Sequence, residues 1–60
     1  MDDGSTRQRN ILVVEDERDI ADLEALHLCD EGFAVVIAHD AHSGMREACS
    51  RSWDLVILDI

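Results

Sequence analysis

Sixty residues and 6.7 kDa leave room for a single domain at the lower edge of what one hydrophobic core supports. A hydrophobic fraction of 47% excludes a disordered or collagen-like chain. Fourteen acidic against five basic residues, all of them Arg, give a net charge of −9, which excludes a phosphate-neutralising nucleic-acid binder acting alone and favours a cation or a basic partner.

The run Asp2-Asp3-Gly4-Ser5-Thr6 has no period and little to bury. Residues 1–9 are therefore expected to form a flexible tail and residues 10–60 the folded unit. Ile11-Leu12-Val13-Val14 is apolar on both faces, the mark of a central parallel strand covered by helices. Glu15-Asp16-Glu17 ends it, and these acids suit the positive end of a following helix. From Arg18 to Glu31 the period lengthens. Ile20, Leu23, His27 and Leu28 fall on one helical stripe, expected to face inward. Glu24 is the misfit. It lies either at the stripe's edge or against a partner outside these residues. Gly32 is placed to cap the helix C-terminus.

Phe33 to Ala38 reads as a second strand, less uniformly apolar at its ends, as an edge strand would be. Asp40 can cap a second helix from Ala41 or His42 to about Arg51, with Met45, Ala48 and Cys49 as its inward stripe. Gly44 costs roughly 0.8–1.0 kcal/mol inside a helix relative to Ala, and its presence suggests close packing on the sheet. Leu55-Val56-Ile57-Leu58 reads as a third buried strand, ending in Asp59.

The remaining features are quieter. Phe33 and Trp53 are the two aromatic residues, and Trp53 is expected to lie as a lid over the turn before the third strand. Cys29 and Cys49 lack CxxC spacing and read as reduced, partly buried thiols. His27 reads as a partly buried histidine, and His39 and His42 match metal-ligand spacing only loosely. Neither a signal peptide nor the ~18-residue apolar run of a membrane span is present, so a cytoplasmic chain with no membrane partner is expected.

In a β-α-β-α-β unit every strand's C-terminal end lies on one edge of the parallel sheet, where ligands bind at the switch in strand order. Two strands here end in acid. If the first strand is central, in the order 2-1-3, Glu15, Asp16 and Asp59 converge. Such carboxylates raise one another's pKa, and a hard cation such as Mg2+ relieves the repulsion. Acids at strand ends are also ordinary solvated loop residues, and both readings stand at this point.

ILVVEDERDI, the helix ending in EGFAV, HDAHSG and WDLVILDI, in this order and spacing, resemble the N-terminal half of the receiver (CheY-like) domain of bacterial two-component response regulators. The resemblance covers nearly all of residues 10–60. It implies an α/β fold: the β-α-β-α-β portion of a doubly wound, flavodoxin-like parallel sheet, strand order 2-1-3, ending before the fourth strand. It further implies that Asp59 is the phosphoacceptor, that Glu15, Asp16 and Asp59 hold Mg2+, and that a sensor histidine kinase is the phosphoryl donor. DNA would be reached only through an output domain not in this chain. A receiver catalyses its own phosphorylation and dephosphorylation without being a conventional enzyme.

Several positions depart from the family pattern. Glu15 stands where Asp is commoner, Ala41 where Gly is frequent, and Trp53 where Pro is frequent. Glu24 stands where Leu is common, a change read as one of packing. The receiver pattern also places a Ser or Thr at the end of a fourth strand and a Lys at the end of a fifth, and these sixty residues contain no lysine. The fragment is therefore expected to be a poor phosphoacceptor. A pseudo-receiver or isolated fragment serving only as a protein-interaction module is the alternative. A P-loop enzyme is excluded by the missing GxxxxGK[ST], and a dinucleotide-binding unit by a first strand that runs into acids instead of glycines.

The sheet edge beyond the third strand is expected to be open, which invites a homodimer or a domain-swapped copy. The sixty residues in dilute monomeric solution should accordingly give no sharp, single-species unfolding transition. Calorimetry combined with analytical ultracentrifugation checks this, and a cooperative transition of a proven monomer would contradict it.

Overall fold

A computed structural model describes residues 8–60. The expected tail falls mostly on residues 1–7, which lie outside the described residues. The elements run β1 (Asn10–Glu15), α1 (Arg18–Asp30), β2 (Ala34–Ala38), α2 (Ala41–Ser50) and β3 (Leu55–Asp59). The strands form a parallel sheet in the order β2-β1-β3, the open doubly wound arrangement expected from the sequence.

β1 is central, and its branched side chains are sealed on both faces: Ile11, Leu12, Val13 and Val14 are each at most 2% exposed. From β1 the chain crosses one way to β2, then back past β1 to β3. Right-handed crossovers in opposite directions put α1 and α2 on opposite faces. Alternation along the strands then divides the core. Leu12, Val14 and Ala38 form the buried cluster on the α2 face, with Val36, Ala48 and Trp53 packed against it. Ile11, Val13 and Glu15 have the other parity and share the face of α1.

The start of the β1–β3 pair is pinned by one residue. Asp54 donates its amide to the Asn10 carbonyl at 2.9 Å, and its carboxylate accepts the Asn10 amide at 2.7 Å. Trp53 is the expected lid. Its indole donates to the Glu47 carbonyl at 2.9 Å, and the Arg51 guanidinium lies 4.5 Å from the ring centroid, close enough for a cation–π contact.

The helix ends follow the sequence closely. The Asp40 carboxylate accepts the Ser43 amide at 2.7 Å, as a cap should. That bond holds the Asp40 carboxyl below its ordinary range. At the end of α1, Gly32 takes φ +96°. Its amide donates to the Cys29 carbonyl, and that of Phe33 donates to Leu28, which is the Schellman closure. Glu17 differs from expectation. It caps α1 through its backbone carbonyl, which accepts the Ala21 amide, and its side chain makes no cap bond.

Three expectations about packing need correction. The inward stripe of α1 is Ala21, Glu24, Ala25 and Leu28, whereas Ile20, Leu23 and His27 are exposed. The two stripes have the same spacing and differ by one residue of rotation, and the helix seats its small alanines against the sheet. The same holds for α2, which presents Gly44 and Ala48 while Met45 and Cys49 are exposed; both cysteines are free and exposed rather than partly buried. β3, read as a buried strand, leaves Leu55, Val56 and Leu58 exposed, because the helices pack chiefly on β1 and β2 and β3 is the sheet edge.

A Cβ built on Gly44 would lie 2.7 and 2.8 Å from the two γ-methyl carbons of Val14, so the helix can approach β1 only without one. Gly44→Ala should destabilise by about 1–3 kcal/mol through overpacking, less the ~1 kcal/mol gained in helix propensity. Gly32→Ala meets open space but should cost about 1–2 kcal/mol through its left-handed backbone. Amide hydrogen exchange separates the two: β1 amides should lose protection in the first variant and α1 C-terminal amides in the second.

Candidate metal centre

β1 and β3 pair so that Glu15 stands opposite Asp59. Both strands point the same way, so both acids lie at the ligand-binding edge. Ile57 separates Asp59 from Leu55 by the same alternation that separates Glu15 from Ile11, so both acidic side chains share the α1 face. From that face Glu24 enters. Glu15, Glu24 and Asp59 each offer a carboxylate oxygen, and these oxygens lie within 4.8 Å of one another.

The three acids sit in different environments. Glu15 is 3% exposed, Glu24 is half-buried, and Asp59 is exposed. One Glu15 oxygen, Oε2, accepts the Glu17 amide at 3.0 Å. Its other oxygen, Oε1, is buried and has no hydrogen-bond partner, and the same is true of Glu24 Oε1. Buried carboxylate oxygens without partners are costly, and a hard divalent cation with oxygen ligands would satisfy them. The donor set therefore fits Mg2+ chemistry. Asp16, expected from the sequence to join the ligands, lies exposed in the bend after β1. It is outside the closely spaced trio, although its carboxyl still interacts with that of Glu15.

Comparison with known proteins finds response regulators over most of the chain. The chain is 43% identical over 51 residues to the response regulator ArlR of Staphylococcus epidermidis, covering 85% of this chain and 23% of that protein. It is 42% identical over 50 residues to the transcriptional regulatory protein DltR of Streptococcus agalactiae, covering 83% and 22%. The similarity over this stretch supports a CheY-like receiver fragment. A third relative, the transcriptional regulatory protein YkoG of Bacillus subtilis, is 41% identical over 51 residues, covering 85% of this chain and 22% of its own. The receiver segment thus spans less than a quarter of the length of these relatives. No family model matches it, and no solved structure is a significant match.

Within the receiver segment Glu24 is the residue that sequence reasoning assigned to packing. Its signal was visible, since an acid stood among apolar helix positions. The stripe expected from the sequence is one residue out of phase with the observed inward face of α1, so it does not disclose the approach of Glu24 to Glu15 and Asp59.

The charge of the trio bears on pH. The Glu17 amide pulls the Glu15 pKa down, but burial, the hydrogen-bonding contact and charge of Asp59, and the Asp16 carboxyl together outweigh it. The net effect lifts Glu15 above its ordinary 4.5. An acid raised on folding favours the folded state fully below the ordinary value and loses that contribution as pH rises through the raised one. In chelator, far-UV ellipticity should therefore weaken as pH climbs through the Glu15 transition. Glu15→Gln should remove that step, and an unchanged profile in the variant would contradict the assignment.

Proposed function

We propose that this segment is the phosphoacceptor part of a cytoplasmic response regulator, in which Asp59 takes a phosphoryl group from a sensor histidine kinase. The observation that carries this reading is the β1–β3 register, which sets Asp59 directly across from the buried Glu15. Glu15, Asp16 and Asp59 would hold Mg2+, which when bound neutralises charge on the phosphoryl oxygens.

The remaining chemistry belongs to the chain. An oxygen of Asp59, exposed at the end of β3, attacks phosphorus. The P–N bond of the kinase phosphohistidine breaks, and its electron pair returns to the imidazole nitrogen. The product is an acyl phosphate on Asp59. Water later attacks the same phosphorus, releasing inorganic phosphate and restoring the carboxylate. Glu15 is held by the Glu17 amide, which fixes its carboxylate beside the nucleophile. Relatives described as transcriptional regulatory proteins support a DNA-binding output domain as the recipient of the signal. Among the described residues no helix is long and apolar enough to cross a membrane.

The test is phosphoryl transfer from acetyl phosphate with Mg2+, with any acyl phosphate trapped by borohydride reduction and located by mass spectrometry. The sixty-residue chain should give a low-yield adduct at Asp59 alone, with no accumulation of a stable phosphorylated species. Asp59→Asn should abolish trapping and weaken Mg2+ binding at least about tenfold, as loss of a metal ligand should exceed the ~10–100-fold cost of disturbing its supporting shell. Trapping at another carboxylate, or trapping that persists in chelator, would refute the reading.

A further inference from the structure

We propose that Glu24 is a charge-balancing residue of the phosphoacceptor site, one that tightens the hold on Mg2+ and restrains the acceptance of a phosphoryl group by Asp59. This inference rests on the phosphoacceptor reading of the preceding section and concerns a residue to which that reading gives no role.

The observations come from two separate elements. Glu15, on β1, is 3% exposed, and its Oε1 is buried without a hydrogen-bond partner. Glu24 approaches from the inward stripe of α1 with an Oε1 that is likewise buried and unpartnered. Together with Asp59 they offer oxygens that lie within 4.8 Å of one another. The rest of that stripe is Ala21, Ala25 and Leu28, so an apolar side chain suits the packing and an acid is not needed for it. What Glu24 contributes is one negative charge, held at a half-buried position where water and salt screen it less than at the surface.

That charge acts in opposite directions on the cation and on the phosphoryl group. Mg2+ carries two positive charges, which Glu15 and Asp59 already match, and Glu24 adds further attraction for it. Phosphorylation runs the other way. An oxygen of Asp59 attacks the phosphorus of acetyl phosphate, the P–O bond to the acetyl group breaks, and acetate leaves with the electron pair. The donor arrives as a dianion at neutral pH, and the singly negative Asp59 carboxylate becomes a doubly negative acyl phosphate. A fixed negative charge beside the nucleophile opposes both changes. With Mg2+ bound, Glu24 leaves the trio one negative charge in excess, whereas an uncharged side chain at its position would leave it balanced. The acid on α1 therefore favours retention of the cation over acceptance of the phosphoryl group.

Glu24→Gln and Glu24→Leu in the sixty-residue chain test the proposal. Both should weaken Mg2+ binding about tenfold in isothermal titration. At saturating Mg2+ both should raise the initial rate of borohydride-trapped adduct formation at Asp59 about tenfold, the effect of one unit charge at this spacing in a medium of intermediate dielectric. Added salt should narrow that gap, because Asp59 is exposed. Hydrogen exchange in chelator supplies a further readout: α1 amides near position 24 should be better protected in both variants, since the repulsion from Glu15 and Asp59 is gone. Unchanged Mg2+ affinity in Glu24→Gln, or a trapping rate at saturating Mg2+ that is unchanged or lower, overturns the proposal. So does a rise confined to Glu24→Leu, which would assign the effect to packing. If Asp59 is trapped at one rate in all three chains, the phosphoacceptor reading survives without Glu24. Absence of any Asp59 adduct in all three overturns both.

Discussion

The parallel pairing of β1 with β3 is the constraint on which the chemistry of this chain depends. It aligns Glu15 with Asp59 across neighbouring strands. A slip of one residue would turn Asp59 to the other face of the sheet and leave Glu15 facing Leu58 or Ile60. The register is held at its far end by the double tie between Asn10 and Asp54. The residues that fix the acidic edge therefore include two polar ones at the opposite end of the sheet.

That alignment concentrates negative charge in a chain that already carries −9. The exposed Asp59 keeps its contact with water, whereas Glu15 has exchanged solvent for the Glu17 amide. Burial and neighbouring acids together oppose ionisation of Glu15. The fold holds an acid of this kind in place by sealing β1 with branched residues on both faces, so the cost at its tip is met by packing along its length. Function of this type commonly sits where local stability is given up.

The sequence discloses the elements because their signals are local and chemically distinct. Four consecutive branched residues before an acid can hardly be anything but a covered strand, and Gly32 and Asp40 announce helix ends through backbone freedom and hydrogen bonding. The acidic edge was legible conditionally: Glu15 and Asp59 meet only if β1 is central, and that strand order is what the family resemblance implies. Rotation of α1 about its axis was not legible. Ile20 and Leu23 outweigh Ala21 and Ala25 in hydrophobicity, yet a helix lying against a flat, β-branched sheet packs by fit as well as by hydrophobicity. The exposure of β3 is likewise invisible in its own apolar residues, because it depends on which elements cover them.

Trp53 carries a practical consequence. Its indole is anchored to the Glu47 carbonyl just before β3 begins, and Asp59 lies at the strand's other end. At ~3.3 Å of rise per residue, the fluorophore and the acids are roughly 20 Å apart. The chain's single tryptophan thus makes an emission probe of how α2 docks on the strand entrance. A cation settling among the carboxylates would be nearly dark to it unless the whole sheet tightened at once.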